Sequence, residues 1–113
     1  MIEKRIIDYL KNCLSVPVFL EIPESAPEEF VLFERTGSSE NYNVITATFA
    51  FQSYATSMFK AATLNDEVKK ALREMIQLND VIKVSLNSDY NFTDTTTKRY
   101  RYQAVFDISY YEN

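Results

Sequence analysis

The chain has 113 residues, of which 46% are hydrophobic and 25% charged, so it is long enough for one domain built around one core. It contains no histidine, one cysteine and one glycine. This composition excludes a Ser-His-Asp triad, a Cys/His zinc site and a glycine-rich phosphate loop. We therefore expect a single domain over residues 1–113 that is not an enzyme and that has no catalytic residue, cofactor or metal site.

The formal net charge is −4, and the acidic residues are concentrated in one segment. Such a run is typical of a solvated surface, although it would also suit a contact patch for a basic partner or a surface that repels DNA. Because nucleic-acid binders have clustered Lys and Arg, we expect no sequence-specific nucleic-acid binding. Five glutamates without an intervening base fall within fourteen residues: Glu21, Glu24, Glu28, Glu29 and Glu34.

The single cysteine and the lack of a long apolar stretch indicate the cellular compartment in which the protein is expected. Cys13 has no partner for an internal disulfide, which suits a reducing cytosol. It lies on the apolar stripe of a predicted helix, where we expect a buried thiol. The first residues are charged throughout, and no run of about 18 uncharged apolar residues occurs, so we expect neither a signal peptide nor a membrane span.

The first half of the chain predicts one helix and three strands. Apolar residues at helical spacing predict a helix over 2–14, which the residue before Pro17 ends. Short apolar runs predict strands over 18–22 and 30–36, separated by a proline-flanked acidic connector. The polar segment 36–41 is typical of a turn or loop.

The third strand, over 43–53, alternates, with Ile45, Ala47, Phe49 and Phe51 on the side expected to face a core. A long helix is predicted over about 56–78. Thr63 and Asp66 match a capping box, but we favour the earlier start because the preceding residues also suit a helix. The buried face of this helix is expected to carry Val68, Leu72, Met75 and Ile76.

The last two strands, over 81–92 and 97–111, predict a long hairpin with a turn at 93–96. Ile82, Val84 and Leu86 are expected to share one side of the first of them. The last strand alternates most clearly, with arginines on one face and tyrosines on the other. Its core-facing residues are expected to be Tyr100, Tyr102, Ala104, Phe106, Ile108 and Tyr110.

This order of elements predicts an α+β fold of two layers. We expect a mainly antiparallel sheet of about five strands with two helices packed on one face, because short polar turns join consecutive strands. The final hairpin is longer than the core of such a chain needs. We therefore expect residues 87–99 to project and to be mobile when the protein is alone.

Two groups of side chains near this hairpin suggest chemistry. Asp89 and Asp94 flank its end, but with Asn87 and Ser88 they are better interpreted as turn formers than as metal ligands. The basic run Lys98, Arg99 and Arg101 alternates with tyrosines, and a solvated strand face, a protein contact and nucleic-acid binding are all compatible with it.

Eight tyrosines are many for this length, and tyrosine is enriched in interfaces. Tyr90, Tyr100 and Tyr111 are candidates for positions outside the core. The alternative is that they only cover an edge of the sheet.

The order of helix, strands, helix and long C-terminal hairpin resembles that of the tail terminator, or tail-completion, proteins of long-tailed bacteriophages and prophages. The resemblance covers most of the chain. The segments that carry it are the early strand Phe30 to Arg35, the strand Val44 to Phe51, the helix region Ala55 to Leu78 and the ending Asp94 to Tyr111. In that ending, a turn and an arginine-containing strand start precede a final strand of aromatic-x-Ile-x-Tyr type.

The resemblance implies a non-enzymatic virion component. Such a minor structural protein caps the tail tube as a ring, usually a hexamer, and takes part in head–tail joining. The implied partners are further copies of the chain, the tail tube protein and a head-completion or connector protein. The implied location is the head-proximal end of the tail, after assembly in the cytoplasm of a bacterial host.

We expect the ring to close through exposed strand edges and through the basic face of the last strand, which would meet the acidic segment of a neighbouring copy. The residues expected at this subunit or partner interface are Glu24, Glu28, Glu29, Tyr90, Arg99, Arg101 and Tyr111.

Two other functions remain open from the sequence. The first is a cytosolic protein-binding module that adds a peptide to an exposed sheet edge. The second is a small acid–base enzyme that uses only Glu and Asp. The long final hairpin favours the ring component over the module, because a ring subunit needs sheet edges that a monomer would blunt.

Overall fold

Two helices and five strands follow one another in the order that the sequence predicts. The computed structural model describes residues 1–97 and 99–112. A 3-10 turn, Met75–Gln77, continues the second helix. The elements are α1 (Ile2–Cys13), β1 (Val18–Phe19), β2 (Phe30–Asn41), β3 (Val44–Ala55), α2 (Met58–Glu74), β4 (Val81–Asn91) and β5 (Tyr100–Tyr111).

The five strands form one sheet in the order β1-β2-β3-β5-β4. The short β1 pairs with β2 in parallel, and the other three pairings are antiparallel. The two helices cover one face of this sheet. The α+β class and the mainly antiparallel five-stranded sheet with two helices are therefore confirmed.

The core lies between the helices and the covered face of the sheet. Ile6 and Leu10 of α1 and Val68 of α2 are buried in the same cluster as the inward side chains of β2, β3 and β5. Burial at i, i+4 and i+8 of α1 and at i, i+4 and i+7 of α2 is what one apolar helix face requires. Phe33, Phe49, Phe51 and Phe106 form an aromatic centre with ring centroids 5.1–6.1 Å apart.

The alternation predicted for the third and fifth strands is confirmed. Ala47, Phe49 and Phe51 of β3 are buried against the helices, and Ala104, Phe106 and Ile108 of β5 are buried with them. These strands are central in the sheet, and their covered face cannot contain charge without a partner. The alternation therefore survives in the structure unchanged.

The polar segment 36–41 is strand and not loop, so this prediction is wrong. β2 runs to Asn41 and pairs with β3 along its whole length, with a bulge between Arg35 and Gly37. Only Tyr42 and Asn43 lie between the two strands. The backbone hydrogen bonds to β3 outweigh the local preference of Ser, Gly and Asn for turns.

The strand predicted over 18–22 is much shorter. Only Val18 and Phe19 pair with β2, while Leu20 and Ile22 are exposed. An apolar run is not enough for a strand at a sheet edge when only two of its residues lie alongside a partner. The boundaries of β3, β4 and β5 differ from the predicted ones by at most three residues.

Cys13 and Ile76, both predicted to be buried, are exposed, and Ile82 does not share a side with Val84 and Leu86. Cys13 lies beside the α1 row of Ile2, Ile6 and Leu10, and Leu14 packs on the core in its place. Ile76 falls in the 3-10 turn, where the helical phase is lost. Ile82 is 40% exposed because a bulge between Val81 and Lys83 turns it away from the core.

The early start of α2 is confirmed, and the capping box is not the helix start. α2 begins at Met58, and the Ser57 hydroxyl accepts a hydrogen bond of 3.1 Å from the Lys60 N–H. The Thr63 hydroxyl instead donates to the carbonyl of Phe59 within the helix. The cap therefore lies six residues before the position that the capping-box motif indicates.

Candidate interaction surface

The face of the sheet opposite the helices is the candidate functional site. Residues paired across the strands share a face, so the open face carries Tyr54, Gln52 and Thr48 of β3 beside Arg101, Gln103 and Asp107 of β5. Nearly all of these side chains are polar, as expected for a sheet face that no helix covers. We call it the open face.

A chain of hydrogen bonds crosses three strands of the open face. Arg101 Nη1 donates to Tyr54 Oη (2.9 Å), and Tyr54 Oη donates to Gln52 Oε1 (3.0 Å). Gln52 Nε2 then donates to Gln103 Oε1 (2.9 Å), and Gln103 Nε2 donates to the hydroxyl of Tyr90. Because each side chain is held by its neighbours, this row is a rigid polar surface.

A second polar group lies further along the same strands. The hydroxyl of Thr48 donates to Asp107 Oδ1 (2.6 Å), and Asn87 Nδ2 donates to Asp107 Oδ2 (3.2 Å). Thr46 and Ser109 share a hydrogen bond of 2.8 Å. Both carboxylate oxygens of Asp107 are thus occupied by neutral donors of the chain itself.

Two arginines and three aromatic rings form a cluster at one end of the open face. The guanidinium carbon of Arg99 lies 5.0 Å from the ring centre of Tyr54 and 5.9 Å from that of Phe30. The guanidinium carbon of Arg101 lies 4.4 Å from the ring centre of Phe92. We call these five residues the arginine–aromatic cluster.

This cluster buries aromatic surface on a face that no helix covers. The rings of Phe30 and Tyr54 stack at 4.5 Å, and the two residues are only 1% and 3% exposed. Arg101 also donates from Nε to the carbonyl of Phe92 (2.6 Å). Within the described residues, neither Arg99 nor Arg101 forms an ion pair.

The acidic connector, residues 20–29, leads directly into this cluster. Glu24 and Glu28 are exposed, and Glu29 is half-buried just before Phe30. In the part of the chain that the structure describes, none of the three forms an ion pair. The strongest acidic segment and the two arginines are thus near one another but unpaired.

The structure brings together some of the residues expected at an interface and separates others. Arg99 and Arg101 share the open face, as the alternation of the last strand predicts, and Tyr90 of β4 lies on the same face. Tyr111 is exposed but lies ten residues further along β5, roughly 34 Å away at about 3.4 Å per residue. Lys98, the third base of the run, lies outside the described residues.

Sequence reasoning missed the rest of the open face. Gln52, Phe30 and Tyr54 belong to it only because β2, β3 and β5 are paired in one particular register. The alternating pattern of β3 places Gln52 opposite its buried neighbours, which is a usable signal. No signal in the sequence shows that Phe30 meets Tyr54.

The carboxylates at the final hairpin have structural roles. Asp94 is a turn former as predicted, since Oδ1 accepts the N–H of Thr96 at 3.0 Å, and this hydrogen bond lowers the pKa of Asp94. Asp89 is not in the turn, because it lies in β4 and forms an ion pair with Lys69 of α2. That contact raises the pKa of Lys69. Among the described residues, no three potential metal ligands converge.

A cleft of about 420 Å³ lies at the opposite end of the sheet, beside the start of α1. Its two arginines bond within the chain: Arg35 forms a two-bond ion pair with Glu3 (2.7 and 3.1 Å), and Arg5 donates to the carbonyl of Asn79. Burial alone would raise the pKa of Glu3, but the hydrogen bonds from Arg35 outweigh it and lower that pKa. Both arginines of the cleft are therefore already engaged by other groups of the described residues.

Comparison with known proteins adds no relative, since neither a scan of protein-family models nor a search of curated proteins finds a match. In residues 1–97 and 99–112, neither helix has the length and apolarity needed to cross a membrane.

Proposed function

We propose that this protein is a non-enzymatic structural component of a bacteriophage or prophage tail. In this role it caps the tail tube as a ring of six copies and takes part in head–tail joining. The proposal rests on the resemblance to tail terminator proteins described above. The order of helix, three strands, helix and two strands that carries this resemblance is also the order found in the structure.

One observation supports self-assembly most directly. Arg99 and Arg101 lie on an uncovered sheet face, stacked on rings and in no ion pair among the described residues. The acidic connector ends at Glu29, directly before Phe30, on whose ring Arg99 lies, yet no ion pair forms between the connector and Arg99. Both charge groups are therefore available to a second copy, and opposite charges would set the alignment of that contact.

The proposed partners and location follow the same resemblance. The ring would bind the tail tube protein on one side and a head-completion or connector protein on the other, at the head-proximal end of the tail. Assembly would take place in the cytoplasm of the bacterial host.

A charge-exchange experiment tests the proposed contact between copies. One variant carries Arg99→Glu and Arg101→Glu, and a second carries Glu28→Lys and Glu29→Lys. Each alone should assemble poorly, with a larger defect at low salt, where like charges repel most. A mixture of the two should recover assembly, because acidic connectors then meet basic faces and basic connectors meet acidic faces.

Two controls make this experiment interpretable. Lys70→Glu with Arg73→Glu makes the same change in charge on the exposed side of α2 and should assemble like the parent. Arg99→Glu alone keeps the hydrogen bonds of Arg101 and separates a charge effect from damage to the fold. Normal tail completion by the double arginine variant would show that the acidic-to-basic contact is wrong.

The second candidate function, a protein-binding module, is favoured by the edge of β2. Beyond the two residues that β1 covers, this strand exposes its backbone from Phe33 to Asn41. An extended peptide could add to that edge as a further strand. A protein that stays monomeric with the tail tube protein but binds an extended peptide would support the module over the ring.

A further inference from the structure

Each side of the sheet has a strand edge that is free of backbone pairing over part or all of its length. On one side, β1 covers only Val31 and Leu32 of β2, so among the described residues no strand lies along the outer edge of residues 34–41. On the other side, β4 pairs only with β5 among the described residues, and its outer edge is open along its length. Unpaired edges of this length normally receive Lys, Pro or a cover that prevents pairing with another chain.

The free stretch of β2 has only part of this protection, from the bulge between Arg35 and Gly37 and from the charged side chains Glu34 and Glu40. Residues 34–41 contain neither proline nor lysine. The N–H of Val31 points outward to the carbonyl of Pro17, so strand alternation also points the backbone of Phe33 and Arg35 to the free edge. The bulge between Arg35 and Gly37 shifts this alternation by one residue, so the backbone of Ser38 points to the free edge as well. These groups are donors and acceptors for a strand that the chain does not supply.

The two edges run in opposite directions. β2 is antiparallel to β3, β3 to β5 and β5 to β4, so three reversals leave β2 and β4 antiparallel. If two copies stand side by side in the same orientation, β4 of one copy and β2 of the next therefore meet as an antiparallel pair. Antiparallel pairing is the more stable of the two arrangements per residue.

The two free stretches also lie at the same level of the sheet. Following the pairings across the strands, Ser39 is level with Thr46, Ser109 and Lys83, and all four side chains are on the open face. The same path makes Glu34 level with Ser88. Residues 34–40 of β2 thus lie level with residues 81–88 of β4, and neither stretch must slide along the sheet to meet the other.

The charges of the two free edges favour a second copy of this chain as the partner over an unrelated strand. Residues 34–41 carry Glu34 and Glu40, while their one base, Arg35, is held by Glu3. Residues 81–88 carry a single charged side chain, Lys83. The edge of β2 is thus acidic and the edge of β4 is basic, which favours contact between different edges and opposes β2 with β2.

We infer that copies of this chain join side by side through antiparallel pairing of β4 of one copy with residues 34–41 of β2 of the next. The sheet then continues from copy to copy, and the contact is heterologous, so it propagates until a ring closes. This inference deepens the proposed function, since it rests on the ring and identifies the edges that close it.

Disulfide capture tests the pairing. In a Cys13→Ser background, Ser39→Cys is combined in turn with Lys83→Cys, Ser85→Cys or Ser88→Cys, which samples neighbouring registers on the open face. Oxidation of the protein at high concentration should give a ladder of trimers and larger species with at least one combination. The matched control combines Ser39→Cys with Ser109→Cys, which is level with Lys83 but one strand inside the edge, and should give no ladder.

A proline variant blocks the pairing without breaking bonds within the chain. The N–H of Ser38 faces the free edge, so Ser38→Pro should leave the thermal unfolding midpoint unchanged and abolish the ladder, while Ser38→Ala keeps it. Absence of a ladder in all three combinations, dimers from Ser39→Cys alone, or a ladder that survives Ser38→Pro would overturn the inference.

A tail-completion assay separates this inference from the proposed function. If the protein forms the disulfide-linked ladder but cannot complete tails, the edge pairing is supported and the virion role is refuted. Completed tails from the Ser38→Pro variant refute the edge pairing and keep the virion role.

Discussion

Two tyrosines show how differently single residues are used in this protein. Tyr54 is buried between Phe30 and two arginines on the open face. Tyr42 is 91% exposed in the turn between β2 and β3, with a positive φ of 59° that suits Gly or Asn. A bulky residue in this conformation carries strain, and here no burial compensates for it.

Tyr42→Gly should make the protein more stable. The left-handed conformation costs a non-glycine residue about 1–2 kcal/mol, and the extra chain entropy of glycine costs about 0.5–1 kcal/mol. We expect a net gain of about 0.5 kcal/mol in the free energy of unfolding in urea. Tyr42→Ala removes the same ring but keeps the strain, so equal gains from both variants would contradict this explanation.

The ion pair between Glu3 and Arg35 should make stability depend on pH. Because the folded-state pKa of Glu3 lies below its ordinary value of 4.5, the pair stabilises the fold above that pH and its contribution is lost as the pH falls. Arg35→Gln should lower the free energy of unfolding by about 1 kcal/mol at neutral pH, and by much less near pH 3.

The control for this variant is Lys4→Gln, which breaks the exposed pair with Asp8. It should cost under about 0.5 kcal/mol. An Arg35→Gln effect that stays constant from neutral to acidic pH would show that the ion pair is not its cause.

At the scale of elements, the sequence predicts the features that depend on a local pattern of residues. It does not predict the features that depend on how the strands pair. The faces of β3 and β5 follow from alternation, because burial on one face allows only one register. The segment 36–41 is misassigned because its hydrogen bonds go to β3, a partner that turn propensities do not include. The exposure of Ile82 depends on a bulge, which has no signature in this sequence.

The start of α2 gives a direct comparison of motif and structure. Ser57→Ala should cost about 1 kcal/mol, because it removes the acceptor for the Lys60 N–H at the N-terminus of the helix. Thr63→Ala should cost less than about 0.5 kcal/mol, since its hydroxyl bonds only within the exposed helix surface. Urea unfolding of both variants measures the two costs. A larger cost for Thr63→Ala than for Ser57→Ala would indicate that the helix begins at the capping-box motif.

The end of the β4–β5 hairpin should exchange its amide hydrogens quickly when the protein is alone. The sequence places this mobility at residues 87–99, but β4 pairs with β5 as far as Asn91, so we expect it to be confined to the turn. Thr96 and Thr97 donate there only to the side chain of Asp94. Hydrogen exchange as slow at these amides as at Phe106 in a monomer would contradict the expected mobility.

At the scale of the whole molecule, the open face and the free edges belong to one surface that the core does not use. Sequence alternation predicts that Arg99 and Arg101 share a face, and the structure places them over Tyr54 and Phe92. Their aromatic support and the distance to Tyr111 follow from register and strand length, which no local pattern contains. The charges, the polar rows and both edges are compatible with a subunit that is completed by its neighbours.

The native mass of the protein with and without the tail tube protein tests the central proposal most directly. The tube protein would come from the phage or prophage to which the proposal assigns the chain, and native mass spectrometry counts the copies in the complex. We expect six copies of this chain in the complex, whether or not the free protein is a monomer, because the tube would supply the template for the ring. A single copy bound to the tube protein, or no complex at all, would contradict the proposal that this protein acts as a ring on the tail.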